Sequence, residues 1–201
     1  MRVLRANGYR HMPWKNGGGE TAEIAIAPEH SGVDAFDWRV SMARVDSDGP
    51  FSSFPGVDRT LTIIEGAGLR LSIDGNPIDV TRHLEPFSFR GEARTHATRI
   101  GGAVTDLNVM TRRERFSHRV TRVEARGELV MAADASVAML FCGGGSLLVE
   151  SAQHAERLHS ADSLLMHTPL TLLRLKSDPA TLALWIEICP RAIKEDHGVS
   201  A

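Results

Sequence analysis

Trp14-Lys15-Asn16-Gly17-Gly18-Gly19 brings an aromatic plate, a cation, an amide and three glycines together in six residues. Successive glycine N–H groups can close on an anionic oxygen, as in a backbone nest. The competing reading is a surface loop, which most glycine triplets are. In Trp38-Arg39-Val40-Ser41-Met42, strand alternation sends Trp38, Val40 and Met42 to one face and Arg39 and Ser41 to the other. A guanidinium forks onto a carboxylate and a hydroxyl adds one more bond. The plain alternative is an exposed arginine on a half-buried strand. Asp58 and Arg59 follow a Phe-Pro-Gly-Val bend, where Asp58 either orients Arg59 or caps the turn. Phe51 and Phe54 before that bend offer an apolar wall or ordinary core. Asp106, Asn108 and Met110 share one face of a strand, with Leu107 and Val109 behind. A buried acid and amide need partners, so that face lines a wet cavity or meets cations from another strand.

The elements that position these residues are strands. Short β-rich runs are separated by Gly, Pro, Asp and Asn, the layout of a sandwich or barrel. The runs fall at 23–26, 38–45, 59–65, 68–73, 78–84, 97–99 and 105–111, then at 136–142, 146–150, 164–166, 170–175 and 181–188. Asp74-Gly75 marks a hairpin turn. The run from Thr60 and the run from Val137 share one pattern, strand, Gly-x-Gly bend, strand, and 104–110 matches 181–187 as a closing strand. This internal repeat suggests two packed barrels. The arginine-rich stretch 114–127 reads as the connector between them, and Arg112-Arg113-Glu114-Arg115 as the solvated end of a strand.

The 201 residues are 42% hydrophobic and 24% charged, with a formal net charge of -2. That suits a globular chain with no electrostatic claim on nucleic acid or an anionic membrane. The amino terminus lacks a signal-peptide pattern and no run is long enough to span a bilayer, so a cytoplasmic location is expected. Cys142 and Cys189 sit in apolar stretches and form no CxxC pair. The nine histidines include no His-x-His pair, and there is no P-loop, Rossmann fingerprint or Gly-x-Ser-x-Gly elbow. No catalytic residue, metal or cofactor is assigned.

Four motifs in order, Met12 through Thr21, Trp38 through Ser41, Phe51 through Arg59 and Asp106 through Arg113, closely resemble the HutD/Ves family of bacterial proteins. The match runs from about Leu4 to the end of the chain, and Leu107 departs from it where an aromatic often stands. The resemblance implies an all-β bicupin of two double-stranded β-helix (jelly-roll) barrels. Residues 1–115 would form the barrel with the ligand pocket and 116–201 a second barrel packed on it. If Gly66 ends the first cupin motif, Arg59 falls in the slot of the metal-binding glutamate, and the histidine slots fall near 52–55, where no ligand residue stands. A cation in place of a carboxylate favours an anionic ligand over a metal.

The expectation is therefore a protein that binds a small carboxylate linked to histidine utilisation: urocanate, formate, or N-formyl- or formimino-glutamate. Trp14, Lys15, Asn16, Gly17, Arg39, Ser41, Phe54, Asp58 and Arg59 would be its contacts. Arg39→Ala should then abolish binding without unfolding the protein. The alternative is a metal-independent enzyme acting on such an intermediate, with Lys15 or Asp58 as general acid or base. A third reading is an interaction platform, with apolar residues of 163–168 or 180–188 as a homodimer face, against the simpler reading of both segments as core strands.

Overall fold

The computed structural model describes residues 1–14, 17–167 and 171–192. Its first strands are β1 (Arg2–Leu4), β2 (Arg10–Pro13), β3 (Gly19–Ala27), β4 (Trp38–Val45), β5 (Gly49–Pro50) and β6 (Val57–Glu65). Then come β7 (Gly68–Ile73), β8 (Asn76–Thr81), β9 (Phe87–Arg90), β10 (Thr95–Arg99) and β11 (Val104–Arg112). The later strands are β12 (Phe116–Ala133), β13 (Val137–Cys142), β14 (Ser146–Glu150), β15 (Ala155–His159), β16 (Ser163–Met166) and β17 (Thr171–Pro190). Among the described residues, no helix is long and apolar enough to cross a membrane.

The strands form three antiparallel sheets. One runs β2-β3-β4-β11-β6-β9, and a second runs β5-β10-β7-β8. These two face each other across Val45, Leu61, Ile63, Leu69, Leu71, Val80 and Ala97. The third runs β1-β16-β13-β17-β14-β15, with β12 also on β17. The six-stranded sheet is buried on both faces. Trp38, Val40, Leu107 and Val109 on its back pack against Met139, Phe141, Leu184 and Ile186 of the third sheet. Leu107 is therefore a core residue. The third sheet encloses its own core of Leu140, Cys142, Leu147, Leu158 and Trp185.

The anticipated repeat of layout appears in the pairing. β6 leads through a bend to β7 and pairs with β11; β13 leads through a bend to β14 and pairs with β17. Asp74 and Gly75 form the hairpin turn between β7 and β8, both with positive φ (48° and 86°). That matches the turn type whose twist suits paired strands. Ser163–Met166 is wholly buried strand, so the apolar run there is core rather than an exposed face.

One expectation is corrected. The stretch 114–127 is not a connector, because Phe116–Ala133 is an 18-residue strand paired along β17. Its arginines hide an alternation. Phe116 and Val120 pack on the core between the sheets, while Val123, Ala125, Leu129, Met131 and Ala133 face the core of the third sheet. A bulge between Ala125 and Gly127 interrupts the register. The run Arg112-Arg113 is likewise not simply solvated. Arg112 lies over the Phe36 ring at 5.6 Å, and Arg113 bridges Asp58 and Glu92.

Candidate functional site

Three neighbouring strands carry the polar floor of one cavity. Register places Met110 of β11 between Arg39 of β4 and Arg59 of β6. Two residues along, Asn108 lies between Ser41 and Leu61, and Asp106 between Ala43 and Ile63. Strand spacing sets the Cα atoms of the two arginines about 10 Å apart, within reach of one small ligand. Alternation turns all of these side chains away from the Trp38 and Val40 face. The cavity measures about 560 Å³. Leu61 and Ile63 apart, these residues line it, and its walls include Trp14, Phe51 and Phe54.

The two guanidiniums are held differently. Arg39 is buried and donates from Nε to Glu23 of β3 at 2.7 Å; Arg10 meets the same carboxylate at 3.2 Å. Arg59 is 6% exposed and forms no salt bridge among the described residues. Its Nη2 donates to Asn108 Oδ1 at 2.8 Å and its Nη1 to the Ser52 carbonyl at 3.3 Å. Phe51, Phe54 and Phe89 surround the guanidinium carbon at 5.1, 5.6 and 5.2 Å from their ring centres. Aromatic faces attract a cation but do not neutralise it. Burial pulls the Arg59 pKa down to about 10; Asp106 opposes the fall and Arg39 adds to it. The guanidinium still stays charged at neutral pH.

Asp106 is fully buried beside this cation. Its Oδ1 accepts from Asn108 Nδ2, and its Oδ2 has no partner among the described residues. Burial drives its pKa up to about 7, with Arg59 opposing the rise.

Four of the residues anticipated from sequence converge here with Trp14: Arg39, Ser41, Phe54 and Arg59. Trp14 is fixed by donating from its indole to Thr21 Oγ1 at 2.9 Å. Gly17 is exposed and is not part of the wall. Lys15 and Asn16 lie outside the described residues. Asp58 does not join the group. One residue before Arg59 on the same strand, it faces the other side and accepts from Arg113 Nε at 2.6 Å. It borders a separate cleft of about 280 Å³ with Ser88, Arg90 and His118. An enzymatic role for Asp58 in the main cavity is therefore not supported by its position.

The sequence reading weighed Phe51 as a wall and the Asp106–Asn108 face as a cavity lining, but counted none of the three among the ligand contacts. Their signal was present in the alternation of β11, but only the register with β6 shows that Asn108 meets Arg59. Among the described residues no cluster of three His, Cys, Asp or Glu side chains could hold a metal ion. A larger cleft of about 600 Å³ lies along Val130, His154, Leu172 and Arg174. Its ionic groups are already paired, Arg174 with Glu128 and Glu150 with Lys176, so size alone recommends it.

The HutD family matches residues 6–183 of the chain. A 21.2 kDa protein encoded in the hutC 3' region of Pseudomonas putida is 34% identical over 177 residues, 88% of this chain and 92% of its own. The chain belongs to the HutD family. Protein Ves of Citrobacter koseri is also 34% identical to this HutD-family protein, over 82% of the chain and 92% of its own length. HutD from Pseudomonas fluorescens SBW25, solved in a formate condition, superposes with a TM-score of 0.80 at 32% identity, covering 95% of this chain and 99% of that one. The fold is cupin-like: the E. coli protein YlbA, 9% identical, shares it at a TM-score of 0.70.

Proposed function

We propose that this HutD-family protein binds a small carboxylate in the β4–β11–β6 cavity and serves histidine utilisation through that binding. Arg39 and Arg59 are the cationic contacts, Ser41 a neutral donor, and Trp14, Phe51 and Phe54 the apolar walls. Lys15 and Asn16, which follow Trp14 in the chain, are kept as contacts on the sequence motif alone. The ligand class is urocanate, formate, or N-formyl- or formimino-glutamate. The fold is read as two cupin barrels, 1–115 and 116–201, with the pocket in the first. The short strand Arg2–Leu4 crosses that division to pair with Ser163–Leu165.

One observation carries this reading. Among the described residues Arg59 is a buried cation without a carboxylate partner, lining a cavity large enough for a small organic acid. A desolvated charge is costly unless an opposite charge compensates it. An incoming carboxylate supplies that charge, and the guanidinium fork selects its planar geometry.

The test is thermal unfolding of metal-stripped protein with each carboxylate and with a panel of divalent metals. A ligand specific for the native state raises the transition temperature in proportion to ln(1 + [L]/Kd). We expect stabilisation by at least one carboxylate and its loss in Arg59→Met, a fall in affinity of about 30-fold or more. Stabilisation by metals alone overturns the reading.

A further inference from the structure

Among the described residues, Asp106 is the one ionisable group of the cavity that the proposed contacts do not use. It sits on the floor between Ala43 and Ile63, fully buried. Asn108 joins it to Arg59: the amide donates to Asp106 Oδ1 and accepts from Arg59 Nη2. Beyond that, Asp106 Oδ2 and Arg59 Nε are both buried with no hydrogen-bond partner among the described residues. A buried carboxylate needs several donors to remain charged, and this one has a single amide.

Among the described residues, the charged groups facing Asp106 are few. β6 contributes Arg59, β4 contributes Arg39, and β3 contributes Glu23, which Arg39 and Arg10 engage. Its own strand adds only Asn108 and Met110. The opposing strands β7, β8 and β10 present Leu69, Leu71, Val80 and Ala97. Counting Glu23 against Arg39, the floor carries one net positive charge when Asp106 is protonated and none when it is ionised.

Resting on the carboxylate reading above, we infer that Asp106 governs anion capture: the cavity takes its carboxylate together with a proton held on Asp106 Oδ2. When ionised, Asp106 acts as an internal counter-anion for Arg59 and competes with the ligand. When protonated, it leaves Arg59 free to meet the ligand carboxylate. Protein that starts with Asp106 ionised takes one proton from solvent as the anion enters, and no bond in the ligand breaks. The high pKa that burial imposes on this carboxyl puts the change near neutrality.

The experiment is isothermal titration of formate and of N-formylglutamate into the full chain between about pH 5.5 and about pH 8.5, where neither ligand titrates. For wild type we expect the affinity to fall about tenfold from about pH 6 to about pH 8. Buffers of different ionisation enthalpy should show proton uptake on binding at the alkaline end. Asp106→Asn keeps the shape and the acceptor for Asn108 but cannot ionise. It should bind with a flat pH profile, near the wild-type affinity at the acid end, and take up no proton. A flat wild-type profile with no proton uptake, or a slope that survives in Asp106→Asn, overturns the inference and leaves the carboxylate reading standing. Failure of both ligands to bind at every pH, with no carboxylate of the class raising the unfolding temperature, overturns both. Should Asp106→Asn not fold, the wild-type proton count decides alone.

Discussion

Arg39 and Arg59 look alike in the sequence, yet they stand in different electrostatic situations. Arg39 is half of a buried ion pair with Glu23, 7% and 9% exposed at the side chains. The expectation that Arg39→Ala spares the fold is therefore revised. Removing the guanidinium leaves Glu23 with only the more distant Arg10 among the described residues, and breaking a buried pair costs about 3 kcal/mol. We expect Arg39→Ala to unfold at a clearly lower temperature and Glu23→Gln/Arg39→Ala to recover part of the loss, with neither variant binding carboxylate. Thermal unfolding with and without ligand checks both points; a single variant as stable as wild type would contradict the ion-pair argument. Arg59 has no such partner among the described residues, so its removal should weigh on binding more than on folding.

At the scale of elements, the segment between β5 and β6 closes the cavity over Arg59. It is held by Gly91: Phe54 donates to the Gly91 carbonyl at 2.8 Å, and Gly91 donates to the Val57 carbonyl at 2.7 Å. A Cβ at position 91 would lie 2.7 Å from the Phe54 carbonyl oxygen and 3.0 Å from that of Val57. Backbone cannot give way as a side-chain tip can, so the segment must shift. Overpacking of this kind costs about 1–3 kcal/mol. Gly91→Ala should lower the unfolding temperature by several degrees and weaken carboxylate binding several-fold, because Phe54 leaves its place over the guanidinium. Gly8→Ala, where an added Cβ meets nothing within 4 Å, is the matched control and should change neither. Equal behaviour of the two variants would remove Gly91 from this role.

At the scale of the whole molecule, His118 ties the third sheet to the six-stranded one. It lies on β12, and its ring nitrogens bond Thr60 of β6 and Thr111 of β11, each at 2.8 Å. Burial pulls its pKa down to about 4, with Asp58 opposing. Asp106 is shifted the other way, to about 7. Between about pH 4 and about pH 6.5, unfolding lets His118 gain a proton, so its contribution to stability is lost as pH falls. Over nearly the same window unfolding makes Asp106 lose its proton, so its contribution grows as pH falls. Each slope is at most about 1.4 kcal/mol per pH unit, and the signs oppose. Denaturant unfolding across this window should show Asp106→Asn losing stability towards acid more steeply than wild type. His118→Gln should lose it less steeply. Parallel curves for all three proteins would refute the opposed titrations.

Much of this was legible in the residue order, because strand alternation is a local property. The all-β class, the Asp74-Gly75 turn, the split of Arg39 and Ser41 from Trp38 and Val40, and the family motifs are all written along the chain. Alternation does not say which polar face meets a cavity and which meets a neighbour. Asp58 and Arg59 are adjacent in the chain but lie on opposite faces, and Asp58 goes to Arg113, 55 positions away. The strand Phe116–Ala133 looked like a connector because its outward arginines masked its inward apolar residues. The Arg39–Glu23 pair, the Asn108 link from Asp106 to Arg59 and the His118 contacts depend on register and packing between distant strands. These long-range contacts decide which charges are desolvated and which are paired. Only the tertiary structure therefore separates a structural arginine from one left free for a ligand.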